Sequence, residues 1–403
     1  MKLGTEGYSP VLLQKIEYAG ANTSSFQQAA GALKALAELS ISPKHVQRIT
    51  ERLGQERQRQ RDADVAAHQA HTLTPRQAEP PAVAAIHLDA GKIQMRDDDG
   101  PAGVRNPRWA DTKIACCLTY APRNDTDDPQ PEPPAVFLDR PSVMRLCGEM
   151  KRVRNASACT APPEEAAAPP QDPPEIERPQ RLVRTAVATM GSAEPFGWMV
   201  AAEAKRRGFF QAAKRVILGD GAAWIWTLAA TFFAGWTQTL DFLHLLTHLY
   251  DAATHAYAAE ADRAWTLYVR LIKAAWAGHV TKVIDLLAAE AKRLGPAPPN
   301  AADADPRRVV AQTLEYVQHN ECRLDYAFNR REGLPCTSTA VESLIKQFNQ
   351  RVKGSEKFWT QAGAEAILQI RAAYLSDDDR AQAHHEARPR GRAVGASRIR
   401  AAA

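Results

Sequence analysis

The most informative patterning lies between Val216 and Tyr250. An apolar run, Val216-Ile217-Leu218, breaks at Gly219-Asp220-Gly221, and a helical apolar pattern follows through Trp224, Leu228 and Phe232. A second short run, Thr237 to Leu240, ends on Asp241-Phe242-Leu243-His244 and leads into another helix. Strand, helix, strand, helix in this order predicts a parallel strand pair joined by a crossover. Ligands collect outside the carboxyl ends of such strands, so Asp220 and Asp241 are expected to face one crevice. The flanking glycines let the chain turn sharply and keep bulk away from Asp220. An Asp between glycines is also an ordinary turn residue, so this motif alone does not decide the matter.

Upstream, the pattern is helical from Tyr8 to about Ala66. Ser24-Ser25 can cap a helix carrying Phe26, Ala30, Leu33, Leu36 and Leu39, and Ser42-Pro43 can start the next. That next helix is dense in polar and basic residues, among them Lys44, Gln47, Arg48, Arg52 and Gln55. A helix, a short turn and a basic helix outline a helix-turn-helix, whose second helix reads the major groove with such side chains. A helical hairpin with a solvated face has the same outline.

Val83 to Leu88 predicts a strand ending at Asp89, with a turn at Ala90-Gly91 and a hairpin partner from Lys92 to Arg96; Trp109 to Tyr120 predicts a third strand. Leu182 to Met190 is a further ordered stretch, followed by a helix from about Phe196 to Arg207. Helices are expected to about Leu294, with Trp265, Ile272 and Trp276 in their core, and again over Val309 to Glu321. The last patterned segment, GLPCTSTAVESLIKQFNQRVKGSEKFW, reads as a loop and a helix bearing Glu342, with Lys346, Arg351 and Lys353 nearby.

These patterns divide the chain into a helical domain at 1–66, core segments at 82–121 and 180–250, and a Pro/Ala-rich flexible insertion at 122–179 with an ordered-looking interruption at Ala135 to Arg152. A helical insertion follows at 251–325, a final core segment at 326–376, and a basic, disordered tail at 377–403.

Composition adds limits. A chain of 403 residues, 45% hydrophobic, can bury a sizeable core, and its net charge of +5 permits nucleic-acid binding without requiring it. No apolar run approaches about 18 residues and no charged-then-apolar leader opens the sequence, so a cytoplasmic protein without a membrane span is expected. The six cysteines show no metal-binding spacing and read as reduced thiols.

Asp89, Asp220 and Glu342 form an Asp, Asp, Glu set spread along the chain. Three converging carboxylates repel one another unless cations neutralise them, and hard oxygen ligands favour Mg2+ or Mn2+ over zinc. Glu342 also stands three residues after Thr339, the spacing of a helix capping box. His244 and His248 have a chelating i, i+4 spacing, yet the glutamate of HExxH is absent.

At these positions the sequence resembles the DDE transposases of bacterial insertion sequences, most closely the ISKra type and more distantly the Mutator-like group. The resemblance rests on HLDAGK at Asp89, ILGDGAAWIW at Asp220, LDFLH at Asp241 and His244, and TAVESLIKQFNQRVKGSEKFW at Glu342. FGWMVAAEAKRRGF and SPKHVQRITERLG add to it, and only the insertion and the tail lie outside. It implies an α/β ribonuclease H-like catalytic core with a helical insertion, preceded by a helix-turn-helix-like domain. It further implies two Mg2+ or Mn2+ ions held by Asp89, Asp220 and Glu342, with Asp241 and His244 beside them. The expected partners are double-stranded DNA at element ends and target, and a second copy of the chain on that DNA. A catalytically silent DNA-binding descendant and a nuclease of the same fold are the alternatives.

Overall fold

Five strands, β1 (Val83–Met95), β2 (Arg108–Tyr120), β3 (Arg181–Thr189), β4 (Lys214–Gly219) and β5 (Thr237–Leu240), form one mixed sheet in the order β3-β2-β1-β4-β5. The computed structural model describes residues 8–76, 79–96, 108–156, 178–354 and 357–388. β1, β2 and β3 pair antiparallel, whereas β4 runs parallel to both β1 and β5. The direction of chain growth across the sheet therefore reverses between β1 and β4, and ligand crevices open at such a point.

Helices α1 (Pro10–Asn22), α2 (Phe26–Ala37) and α3 (Pro43–Gln69) precede the sheet. α4 (Arg140–Ala156) lies between β2 and β3, α5 (Ala193–Arg206) between β3 and β4, and α6 (Ala223–Phe232) between β4 and β5. After β5 come α7 (Phe242–Ala256), α8 (Ala261–Trp276), α9 (Val280–Leu294), α10 (Pro306–His319) and the short α11 (Tyr326–Arg331). α12 (Thr339–Val352), α13 (Gln361–Tyr374) and α14 (Arg380–Glu386) complete the described chain.

Alternation along β1 explains the layering. Val83, Ala85 and Ile93 point to a face covered by Leu344 and Phe348 of α12 and Ile367 and Leu368 of α13. Ala84, Ile86 and Leu88 point to the other, covered by Phe196 and Val200 of α5 and Ile225 and Leu228 of α6. A strand apolar on both faces has to be sandwiched in this way. The block from α7 to α10 has its own core, in which Ile272 and Trp276 are fully buried.

Three expectations need correction. The turn at Ala90-Gly91 does not form: β1 runs through it with Gly91 paired to Thr112, because the ladder with β2 extends unbroken from Val83↔Tyr120 to Met95↔Arg108. Asp89 is consequently a mid-strand residue. The segment read as a flexible insertion is tied down before its ordered-looking stretch, where Arg330 Nε donates to Asp128 Oδ1 and Trp276 Nε1 to Gln130 O, both at 2.8 Å. The ordered-looking stretch itself packs Phe137, Val143 and Cys147 into the core of the α7–α10 block, and residues 157–177 lie outside the described residues. The tail is ordered as far as residue 388: Arg380 pairs with Glu203 at 2.6 Å and His385 with Glu17 at 2.7 Å. Residues 389–403 lie outside the described part.

The N-terminal helices begin where their caps dictate. Ser25 Oγ accepts from Gln28 N, and Ser42 Oγ from His45 N with Pro43 in the first turn. α3 then lies directly against α13. A Cβ on Gly54 would stand 2.3 Å from the Ala366 carbonyl oxygen, so only glycine permits the approach. Gly54→Ala is expected to force the two helices apart and to cost about 1–3 kcal/mol. Urea unfolding measures this, and an unchanged midpoint would contradict the packing account.

Candidate metal and nucleic-acid site

The sheet itself aligns the acids. β1 and β4 pair as far as His87↔Leu218, and carrying that register on by two residues sets Asp89 level with Asp220. β4 and β5 pair as far as Gly219↔Leu240, which sets Asp220 level with Asp241; the bond from Asp241 N to Gly219 O at 2.8 Å extends the ladder. Level residues on neighbouring strands share a face and stand about 5 Å apart. The face is the one α12 covers, and Glu342 sits in the first turn of that helix.

Asp241 is fully buried and spends its acceptors inward. Its Oδ2 accepts from the backbone N (2.9 Å) and the ring Nδ1 (2.7 Å) of His244, and its Oδ1 from Ser338 N (2.5 Å). It caps α7 and ties that helix to the loop before α12. Burial opposes its charge, but the hydrogen bond and charge of His244 outweigh burial and hold the carboxyl below the ordinary range. Burial likewise opposes a charged His244, while Asp241 raises it to about 9, with Asp220 and Glu342 adding to the effect. With Nδ1 committed to Asp241, only Nε2 is left to meet another group.

The other acids are less satisfied. Asp89 is half-buried and accepts from the adjacent Ala90 N at 2.6 Å. Burial first, then the charge of Asp220, raise its carboxyl to about 7, and Glu342 pushes the same way. Glu342 is raised by burial and by Asp241. Its Oε1 accepts from Ser338 Oγ at 3.1 Å, and no side chain caps the start of α12, so the capping-box pairing with Thr339 does not form. Asp220 Oδ1 accepts from Ala222 N at 3.0 Å, and its carbonyl accepts from Tyr316 Oη at 2.8 Å. Gly221 stands at φ +99°, and a Cβ there would lie 2.7 Å from the Tyr316 ring.

Like charges crowded into a partly dry site form a place for a cation. Among the described residues, ligand atoms of Asp241, His244 and Glu342 lie within 4.8 Å of one another. Both Asp241 oxygens are committed inward, to His244 and Ser338, so within this group Asp241 fixes the ring of His244 and Glu342 is the less committed carboxylate; Asp89 and Asp220 lie outside the group. His248 stacks on Tyr316 with ring centroids 4.2 Å apart, which gives it a packing role in place of the chelating pair.

Of the basic and amide residues singled out by sequence, Lys44, Arg48 and Gln55 are exposed on α3. Gln47 donates to Glu51 at 2.8 Å, and Arg52 lies 3.8 Å from Glu56. Lys346 is exposed one turn beyond Glu342, close enough for its charge to favour the ionised carboxylate. Lys353 is half-buried. Arg351 does not reach the surface as expected: it is 3% exposed, stacked on Phe26 and Trp359 at 4.4 and 4.9 Å. Sequence reading missed Ser338 and Tyr316; neither stands in a motif that ties it to an acid.

No protein-family model matches the chain, and no curated protein sequence matches it. Among the described residues, no helix is long and apolar enough to cross a membrane.

Proposed function

We propose that this protein is a transposase that cleaves DNA at the ends of a mobile element and joins the freed ends to target DNA. The observation that carries the reading is the register that sets Asp89 of β1 level with Asp220 and Asp241, the residues just past the ends of β4 and β5, at the sheet's reversal point, with Glu342 in the first turn of α12. Support also comes from the strand order β3-β2-β1-β4-β5 with β2 antiparallel, and from a helical block inserted between β5 and α12, as a ribonuclease H-like core with an insertion requires. The crowded carboxylates suit hard divalent cations, Mg2+ or Mn2+, with Asp89, Asp220 and Glu342 as holders. Such ions, two in the arrangement the sequence resemblance implies, would supply a nucleophile at neutral pH and stabilise the leaving oxygen.

The chain's own groups have separate tasks. Asp241 fixes the ring of His244 so that Nε2 alone meets the scissile strand or an attacking water. Lys346 offers a positive charge to a neighbouring phosphate. Water attacks the phosphorus at the element end and the P–O3' bond breaks, leaving a 5'-phosphate and a free 3'-hydroxyl. That hydroxyl attacks a target phosphodiester in line, and the target's own P–O3' bond breaks as its 3'-oxygen leaves with a proton. The exposed Lys44, Arg48 and Gln55 of α3 would hold the element end. Two ends handled together call for at least two copies of the chain.

The test is incubation of the protein with a labelled duplex carrying the element end in Mg2+ or Mn2+, with hydrolysis and strand-transfer products resolved separately. Cleavage followed by joining is expected. Cleavage without joining would make the protein a nuclease, and metal-independent duplex binding with no cleavage would make it a DNA-binding protein only.

A further inference from the structure

A second feature lies away from the acids, at the seam between the N-terminal helices and the core. A groove of about 510 Å3 opens there, lined by Ser25, Phe26, Glu51, Arg96, Arg351, Lys357, Trp359 and Thr360 among others. Two helices start in its wall. Ser25 caps α2, and Thr360 caps α13, where its Oγ1 accepts from Gly363 N at 3.1 Å. Helix starts present unpaired N–H groups and the positive end of the dipole, a combination that suits anions.

Arg351 forms part of the same lining. Its guanidinium lies against the rings of Phe26 and Trp359; Nε donates to Gly20 O at 2.9 Å and Nη1 to Ser24 O at 3.5 Å. Its Nη2 is buried with no hydrogen-bond partner among the described residues. Beneath it lies Arg371, 5% exposed, which donates to Asn22 Oδ1 and to the Gln347 carbonyl. Neither guanidinium is in an ion pair among the described residues. Burial, then the charge of Arg371, push Arg351 down to about 10, while Glu51 pulls the other way. A buried, unpaired cation with an unused donor is costly unless an anion completes it.

Charge and continuity identify the anion. Among the groove's described lining residues three cations, Arg96, Arg351 and Lys357, face one acid, Glu51, whose carboxylate already accepts from Gln47. Gln47 and Glu51 also line the shallow groove at the first turns of α3, beside Lys44, His45 and Arg48. The two grooves therefore meet at Gln47 and Glu51, with Lys44 and Arg48 on one side of that junction and Arg96, Arg351 and Lys357 on the other. We propose that this seam is a phosphate subsite, formed by Arg351, Lys357 and the start of α2, that seats a backbone phosphate of duplex DNA. The proposal rests on the DNA-binding part of the function above and adds a contact distinct from both α3 and the acids. A phosphate at the seam would bridge the N-terminal helices to the core, coupling DNA binding to the placement of α12, the helix that carries both Arg351 and Glu342.

The experiment is fluorescence anisotropy of a labelled 30-base-pair duplex of arbitrary sequence, titrated with the full chain across a salt series. Lys357→Ala, at the rim, and Arg351→Gln are compared with wild type, with thermal unfolding as the folding control. Each variant is expected to bind more weakly and to show a slope of log affinity against log salt shallower by about one. Slopes equal to wild type would overturn the subsite; if Arg351→Gln fails to fold, Lys357→Ala alone decides. A parallel arm adds inorganic phosphate and follows thermal unfolding. A phosphate-dependent rise in Tm, lost in Lys357→Ala but with unchanged duplex slopes, would make the pocket a small-anion site and overturn the DNA assignment. Wild type that binds no duplex even at low salt would remove the functional reading itself, an outcome distinct from unchanged slopes in the variants.

Discussion

Asp220→Asn is expected to leave folding and duplex binding intact and to reduce strand cleavage by roughly two to three orders of magnitude. That is the range seen when one group stabilising transition-state charge is removed. Asparagine keeps the size of the side chain and an Oδ1 that can still accept from Ala222 N. The Tyr316 bond to the residue 220 carbonyl is a backbone contact and is untouched. What disappears is one negative charge of the set that would attract a divalent cation. Asp89 should report the loss directly, because Asp220 is the second cause of its raised carboxyl: in the variant it falls from about 7 toward the ordinary carboxylate range. Cleavage of the labelled element-end duplex, wild type beside variant, reads the activity. Carboxylate titration by NMR in metal-free protein reads Asp89. Equal cleavage by the two proteins would remove Asp220 from the mechanism.

Arg57→Ala is expected to produce the largest loss of stability, about 3–5 kcal/mol, because it strands a buried carboxylate. Glu17 is fully buried between α1 and α3. Arg57 Nε and Nη2 donate to its two oxygens at 2.8 and 3.0 Å, His385 Nε2 lies 2.7 Å away, and Tyr374 Oη donates at 3.1 Å. Burial alone would raise this carboxyl, yet the hydrogen bonds and charges of His385 and Arg57 bring it down to about 2. The folded value lies below the unfolded one, so the contribution is complete above about pH 4.5 and is lost as the pH falls toward 2. Glu203, opposed by burial and held by Arg380, is also at about 2 and adds to the same acid transition. Wild-type stability should therefore decline through this window, and the decline should be shallower in Arg57→Ala, whose Glu17 keeps His385 but has lost the second group that holds it down. Urea midpoints measured from pH 2 to 7 test both points. An identical pH dependence in the two proteins would show that Glu17 is not held as described.

How much of this was legible beforehand differs from element to element. Caps at Ser25 and Ser42, the strands before Asp220 and Asp241, and the helix bearing Glu342 follow from patterns a few residues long, because caps and amphipathic periods are local properties. The same locality explains the failures. Ala90-Gly91 carries turn chemistry, but a ladder of thirteen pairs between β1 and β2 outweighs it, and the partner strand begins more than a dozen residues away. Arg-rich sequence after Ser376 reads as a solvated tail until Glu203 and Glu17, 177 and 368 residues distant, are placed against Arg380 and His385.

What the sequence by itself determined was which carboxylates stand beside strand or helix breaks, and that no cysteine spacing competes with them as a metal site. Tertiary structure alone decided the division of labour among them. Asp241 and Asp220 look equivalent in sequence, each closing a short apolar run, yet Asp241 is sealed by the loop before α12 and turned into a support for His244. Arg351 looks like one more surface cation until α2 and Trp359 close over it. The physical reason is the same in both cases: burial and hydrogen-bond partners set the state of an ionisable group, and those partners come from parts of the chain that only the fold brings together.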